Sequence, residues 1–325
     1  MRPLFAGVDL GGASIKAAVA TERGEIIAED RVPTESHEGP VAVVERMTVL
    51  IERLVRQSSG ELRGLGVGVP GLVDVATGVT KFLPNLPTQW RDVAVGAMLQ
   101  ERLRAPARLL NDVRAATLGE LRFGHGAGLP DVTMAFFAVG TGVGGGIVVD
   151  GKLRLGPLGA AGELGHQTIL PDGPRCGCGN RGCLEALASG PAIAAEGVRL
   201  MKMGLAPHLY RAVEGDAERV TPREMLAAAQ AGDERVHEAL VCAGEWIGIA
   251  AGNVVTILHP DLVVIGGGVA ELGETLLEPI RRTIRERVGM FPTEGVRVER
   301  SALGERAGIL GCLALAQEKP GIATA

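Results

Sequence analysis

Leu4-Phe-Ala-Gly-Val-Asp9, then Gly11-Gly12, then Ile15-Lys-Ala-Ala-Val19 is the stretch whose reading decides the fold. An apolar run, a glycine pair and a second apolar run read as strand, tight turn and strand. Glu22 to Glu25 marks another turn and Ile26 to Val32 a third strand. About 130 residues later the order returns. Thr133 to Val139 is strand-like, Gly140-Thr-Gly-Val-Gly-Gly145 is a glycine turn, Gly146 to Val149 is a strand, and Asp150-Gly151 is a hairpin signal. A three-strand unit that occurs twice predicts two halves built on one plan.

Helices alternating with short buried strands extend each unit. Val41, Val44, Thr48, Ile51 and Val55 recur at helical spacing, Leu65 to Val69 is an all-apolar strand, a helix is expected over about 92–103, and Ala107 to Leu110 is another strand. This alternation argues parallel pairing in an α/β fold. Farther on, Thr221-Pro-Arg-Glu224 combines a capping Thr, a Pro at the first helical position and a Glu able to close a capping box. A long helix over about 233–257 is expected to stop at His259-Pro260, before a strand at Leu262 to Ile265 and a helix opened by Gly266-Gly-Gly268. With no low-complexity linker, the halves are expected to pack around a cleft.

The 325 residues favour two domains. Hydrophobic residues make up 46% and charged residues 22%, with 48 glycines but only six Phe, two Trp and one Tyr, which predicts many tight turns around small-residue strands. The net charge is −5 and the basic residues are dispersed, so neither a nucleic-acid stripe nor a polybasic membrane patch is present. The first apolar run ends at Asp9, too short for the centre of a signal peptide. Leu240 to Leu258 contains Glu245 and Asn253 and reads as a buried helix rather than a membrane span of about 20 apolar residues. A cytoplasmic protein with a small-molecule partner, no nucleic acid and no membrane is expected.

Three groups of residues carry candidate chemistry. Asp112 follows the strand at Ala107 to Leu110, beside Asn111 and ahead of the helical pattern Val113 to Phe123. Ligands of open α/β sheets bind outside the carboxyl ends of strands, where a carboxylate can take a proton from a substrate hydroxyl. Asn-Asp as a simple helix cap is the competing reading. The turns at Gly11-Gly12 and Gly140 to Gly146 could cradle phosphate with backbone N–H groups, although hairpins use glycine for conformational reasons as well. Gly146 to Lys152 mimics a Walker loop but has Leu153 where Ser or Thr must hold magnesium; Gly66, Gly68 and Gly71 mimic a dinucleotide fingerprint but run into Pro70 with no helix behind. Finally, Cys176, Cys178 and Cys183 lie within eight residues, and His166 upstream can complete a tetrahedral, closed and therefore structural zinc site. Glu163 and Glu185 would then stand near that metal. Cys242 and Cys312 lie alone in apolar helical surroundings and read as core packing.

Taken together these pieces resemble the ROK sugar kinases, in particular their bacterial glucokinases. The matching motifs are Gly7-Val-Asp-Leu-Gly-Gly-Ala-Ser-Ile-Lys16, Gly68-Val-Pro-Gly71, Pro84-Asn-Leu-Pro87 with Trp90, Leu110-Asn-Asp112 and Gly140 to Gly146. They continue with Ala161-Gly-Glu-Leu-Gly-His166, Cys176 to Glu185, Ala188-Ser-Gly190 and Val264-Ile-Gly-Gly-Gly268. The resemblance implies an α/β protein of two actin-like (ribonuclease H-like) domains flanking a substrate cleft, of the hexokinase and actin superfamily. It places a small domain at 1–111 plus 303–325 and a large domain with the zinc loop at 112–302. It further implies ATP-dependent phosphorylation of a hexose, glucose first, at the 6-hydroxyl, with an N-acetylhexosamine or fructose kinase and a non-catalytic sugar-binding regulator as alternatives.

By motif position, Asp112 is implied as the catalytic base. Asn111, Glu163, His166, Glu185, Gly71 and Asn85 are implied at the sugar, and Asp9, Gly11, Gly12, Lys16, Thr141, Gly142, Gly267 and Gly268 at ATP and Mg2+. His166, Cys176, Cys178 and Cys183 are implied at a structural Zn2+, and a homodimer or homotetramer is the implied assembly. Position 13 is Ala where the family usually has Thr, which removes a hydroxyl from the first glycine turn unless Ser14 replaces it. The family's repressors carry a helix-turn-helix ahead of that turn, for which eight residues before Asp9 give no room.

Overall fold

The computed structural model describes residues 2–87 and 90–318. The first meander is β1 (Arg2–Leu10), β2 (Ser14–Thr21) and β3 (Ile26–Pro33). It leads into α1 (Pro40–Gln57), β4 (Gly60–Val69), the hairpin β5 (Leu72–Asp74) and β6 (Val79–Phe82), α2 (Val95–Leu103), β7 (Ala107–Asn111) and α3 (Asp112–Phe123). The second meander is β8 (Met134–Val139), β9 (Val143–Val149) and β10 (Lys152–Arg154). After it come α4 (Leu184–Ala188), α5 (Gly190–Lys202), α6 (Pro207–Ala212), α7 (Pro222–Gln230), α8 (Glu234–Leu258), β11 (Leu262–Gly266), α9 (Glu274–Arg287), β12 (Arg297–Arg300) and α10 (Ala307–Gln317).

The internal repeat is visible in the sheets. One is ordered β3-β2-β1-β4-β7 and the other β10-β9-β8-β11-β12. Each joins an antiparallel meander to two parallel strands, with β4 beside β1 and β7 beside β4 in the first, and β11 beside β8 and β12 beside β11 in the second. Strands buried on both faces need helices on both, and the unbroken apolar runs of β11 and of Gly64 to Val69 in β4 follow from that.

The chain divides into two compact units, Met1–Asp131 with Ile147–Ala161 and Ala302–Ala325, and Val132–Gly146 with Gly162–Ser301. These bounds differ from the expected domains, because 112–131 and 147–161 fall in the first unit rather than with the large domain. The reason is packing: Gly119 of α3 lies so close to α10 that a Cβ would come 2.3 Å from Ala307 O, and Gly151 lies against Pro130. Met1, Thr88, Gln89 and Lys319–Ala325 of the expected small domain fall outside the described residues.

In the first unit α1 starts at Pro40, whose missing N–H costs nothing at a first turn. It buries Val43, Val44, Met47, Leu50, Ile51 and Leu54 on one side of the first sheet. The opposite side receives α10, seated on glycine. A Cβ at Gly66 would come 2.0 Å from Cys312 O, and one at Gly311 would come 1.6 Å from Ala115 O. In the second unit α8 buries Val236, Leu240, Ile247, Ala250, Ala251, Val254 and Val255, packing with α7 and α9. It is long and apolar enough to cross a membrane, but 56% of its most apolar window is buried inside the fold.

Some expected boundaries move. The second glycine turn is shorter than expected, because β9 starts at Val143 and takes in Gly144, Gly145 and Gly146. These glycines serve close backbone approach: a Cβ on Gly145 would lie 2.5 Å from Leu164, and one on Gly165 would lie 1.8 Å from Val143 O. Gly266-Gly-Gly268 opens only a short 3-10 turn, and α9 starts at Glu274 after Gly273, whose φ is 61°.

Candidate active site

In the first unit the carboxyl ends of β1 and β7 bring carboxylates together. Asn111 caps α3: its Oδ1 accepts N–H from Val113 (3.0 Å) and Arg114 (3.2 Å), and its Nδ2 donates to Gly71 O (3.2 Å). The capping reading of Asn111 therefore holds, while one N–H of its amide is left for a ligand. Asp112 is the first residue of α3 and accepts N–H from Val113 at 2.9 Å. Burial, then the charge of Asp9, raises its pKa to about 6, against smaller lowering effects of the Val113 N–H and the Arg114 guanidinium. Asp9 is itself raised by burial, with Lys16, its register partner on β2, pulling the other way. A carboxylate that titrates near 6 is ionised at neutral pH yet basic enough to accept a hydroxyl proton in a transition state.

Around this floor the first glycine turn is closed by Gly11 N–H to Ser14 O at 3.0 Å. A Cβ at Gly11 would lie 2.9 Å from Ser14 O, so the turn itself demands that glycine. Gly12 is different: it is exposed, and a Cβ there would meet nothing nearer than Asn85 O at 3.7 Å. The fold does not require glycine at 12, and its absent side chain opens space in front of the turn. Asn85 is exposed between Leu83 and Leu86, both buried. Trp90 is 1% exposed and belongs to the core. Gly71, at φ 147°, lies under β6, with a Cβ position 2.3 Å from Phe82 O.

In the second unit Glu185, in α4, is gripped by the second glycine turn. Its Oε2 accepts the Val143 N–H at 3.0 Å, and a Cβ on Gly142 would come 2.6 Å from that oxygen. Gly142 is thus explained by Glu185, while Thr141 stays exposed at the tip. Gly190 N–H, at the start of α5, donates to Gly140 O at 2.7 Å. Gly267, φ 81°, is forced by its approach to Val139 O, whereas nothing crowds the exposed Gly268. Glu163 is exposed directly ahead of the 3-10 turn Leu164–His166.

His166, Cys176, Cys178 and Cys183 converge, with all four ligand atoms within 4.8 Å of one another. Zinc–sulfur bonds of about 2.3 Å and zinc–nitrogen bonds of about 2.0–2.1 Å imply tetrahedral edges of about 3.8 Å (S–S) and 3.6 Å (S–N). Cys178 and Cys183 sulfurs are 3.7 Å apart, and Cys176 Sγ is 3.6 Å from His166 Nδ1. The donor set fits zinc. Burial pushes the Cys176 thiol up to about 12 and raises Cys183, a penalty that a divalent cation among thiolates offsets. His166 turns Nδ1 to the sulfurs, which leaves Nε2 for another partner. Leu184 N–H to Gln167 O (3.0 Å) ties the His166 segment to α4 and so to Glu185.

Two polar residues escaped the sequence reading. Arg114, 1% exposed, donates to Asn111 Oδ1 and to the carbonyls of Ala160 and Ala161. Thr34, fully buried, donates its hydroxyl to Gly11 O and its N–H to Ala13 O. Arg114 could have been flagged as a charge inside an apolar helical pattern; Thr34 carried no local signal.

The sequence profile of the ROK family matches residues 5–319. A glucokinase of Halalkalibacterium halodurans is 33% identical over 314 residues, covering 94% of this chain and 93% of that one. A xylose repressor of Caldicellulosiruptor bescii is 33% identical over 312 residues, covering 95% of this chain and 77% of the repressor. Among solved structures, a ROK family glucokinase from Streptomyces griseus in complex with glucose and AMPPNP superposes with a TM-score of 0.82 at 31% identity, covering 97% of this chain and 100% of that one. The repeated sheet order is that of the two-domain actin-like sugar-kinase fold, and the chain belongs to the ROK family.

Proposed function

We propose that this ATP-dependent sugar kinase is a glucokinase, transferring the γ-phosphoryl group of ATP to the 6-hydroxyl of glucose. The observation that carries the reading is Asp112, held at the first turn of α3 with its pKa raised to about 6 by burial and by Asp9. Asp112 takes the proton as the sugar oxygen attacks, and the Val113 N–H holds its carboxylate in place. Asn111, fixed by Gly71 O and Arg114, offers its remaining amide N–H to the sugar. Glu163, Glu185 and the free nitrogen of His166 accept or donate at the ring hydroxyls. Asp9 and Lys16, with the N–H groups of the two glycine turns and Gly268, serve the nucleotide. Asp9 is an oxygen donor suited to Mg2+, which when bound neutralises phosphate charge. His166 and the three cysteines would hold zinc, which would supply rigidity only, since four protein ligands leave no open position.

Glucose is favoured over acetamido sugars because two carboxylates at the ring need hydroxyl donors, and one left without a donor costs about 1–3 kcal/mol. A cytoplasmic location, entry of the product into glycolysis, and a homodimer or homotetramer complete the proposal. A regulator without turnover is the second reading, favoured by the xylose-repressor similarity and by Ala13. Coupled ADP release with glucose, N-acetylglucosamine, N-acetylmannosamine and fructose separates these readings. A roughly ten- to several-hundred-fold higher kcat/KM for glucose is expected. A higher constant for another sugar reassigns the substrate, and no turnover with any sugar favours the regulator.

A further inference from the structure

The first glycine turn faces two ways. In a trans peptide the C=O and the following N–H point in opposite directions. Gly11 O accepts the Thr34 hydroxyl at 2.6 Å, and Ala13 O accepts the Thr34 N–H at 3.0 Å. Both carbonyls are thus drawn to one residue behind the turn, and the N–H groups of Gly12 and Ser14 are directed away from it. Gly12 N–H meets no backbone acceptor among the described residues, and Gly12 is exposed. Thr34 is itself anchored, because Arg46 of α1 donates to Thr34 O at 2.9 Å. The second turn reaches the same arrangement with a backbone donor: Gly190 N–H draws back Gly140 O at 2.7 Å, so Thr141 N–H faces the other way.

We infer that Thr34 is a positioning residue for nucleotide phosphate, whose hydroxyl holds the Gly11 carbonyl away from the anion so that the first turn presents N–H groups to it. This rests on the proposed placement of ATP phosphate at that turn. Without the hydroxyl, the half-buried Gly11 carbonyl is left unpaired or rotates forward, where its negative end opposes phosphate. Valine keeps the shape of threonine and lacks the donor; serine keeps the donor.

Thr34→Val is expected to raise KM for magnesium ATP about five- to twenty-fold with KM for glucose changed less than about two-fold, and Thr34→Ser to restore nucleotide KM to near wild type. A general loosening of the unit would instead raise both constants and would not be rescued by serine. Unchanged nucleotide KM in Thr34→Val, equal shifts in both constants, or failure of the serine variant overturns the inference. Should the valine variant not fold, Thr34→Ala, with the N–H to Ala13 O retained, carries the same comparison. Calorimetric titration with magnesium AMPPNP reads the same variants without turnover. Wild-type protein that binds AMPPNP but phosphorylates no sugar fails the glucokinase reading and leaves the Thr34 test in force. Wild-type protein that binds no nucleotide overturns both.

Discussion

In the first sheet β1 carries Asp9 near its end and β7 runs into Asp112; in the second, the corresponding strands β8 and β12 run into Gly140 and Ser301. The strand order is shared, and the charge is not. Burial raises the pKa of both carboxylates and the charge of Asp9 adds to the rise at Asp112, an arrangement that opposes folding and suits proton transfer. The second repeat places its polar chemistry elsewhere, on a loop where His166 and three cysteines converge in a geometry that fits a metal and on a carboxylate pinned to the glycine turn. Under the proposed mechanism the contrast separates a half that reacts from a half that holds.

The sharpest break of that contrast is Asp112→Asn. Turnover should fall about 100- to 10,000-fold with sugar affinity within a few fold, since the amide cannot take the proton. Retention of more than about a tenth of turnover, with chemistry shown to limit the rate, would remove Asp112 as the base. The same change should stabilise the protein. The folded pKa, about 6, lies above the ordinary aspartate value of 3.8, so the folded state holds the proton more tightly and stability falls as pH rises between those values. Asn removes that penalty, on the order of 1–3 kcal/mol near neutral pH, which thermal melts at pH 5 and 7.5 would resolve as a gain larger at the higher pH. In the wild type, kcat/KM should decline below pH about 6 as Asp112 protonates.

For the holding half, one zinc per chain is expected by elemental analysis of protein purified without added metal. Cys183→Ser should raise glucose KM about 10- to 100-fold and lower Tm, with a smaller change in the KM for ATP. Zinc-free protein of full activity would end the idea that the knot positions Glu163 and Glu185.

A finer division runs between the two glycine turns. Gly142→Ala pushes a Cβ to 2.6 Å from Glu185 Oε2 and should lower Tm and raise glucose KM together, by roughly ten-fold. Gly12→Ala meets no protein atom closer than 3.7 Å, so Tm should stay unchanged while the KM for ATP rises a few fold. Equal behaviour of the two variants would dissolve the distinction. The smallest effect is expected for Ala13→Thr, which adds a hydroxyl to an exposed position of the turn. ATP KM should fall about two- to five-fold; no change would make the alanine neutral.

Both meanders, the parallel strands β4, β7 and β11 and the Cys3His knot were legible because each has a local signature: alternation, glycine pairs, or clustered soft ligands. The helices α4 to α6 and strand β12 were not. Arg297–Arg300 reads Arg-Val-Glu-Arg, and only its pairing with β11 makes it a strand. Conversely, the glycines of β9 looked like turn material until the 162–165 segment was seen packed on them. Thr34 was invisible for the same reason as β12, since the turn carbonyls it holds, Gly11 O and Ala13 O, lie more than twenty residues away.

The glycine bed under α10 also has a consequence for how the chain is made. Its partners α3, β1 and β4 emerge early, yet α10 starts 184 residues after α3 ends (307 minus 123). At about 5–20 residues per second, synthesis leaves that bed bare for roughly 10–40 s. Throughout the interval the first sheet has its strands but lacks the helix that covers its face beneath Asp9 and Asp112. Maturation of the first unit is thereby postponed until the second has been translated, and a ribosome that stalls before residue 307 yields an exposed apolar sheet for chaperones to shield.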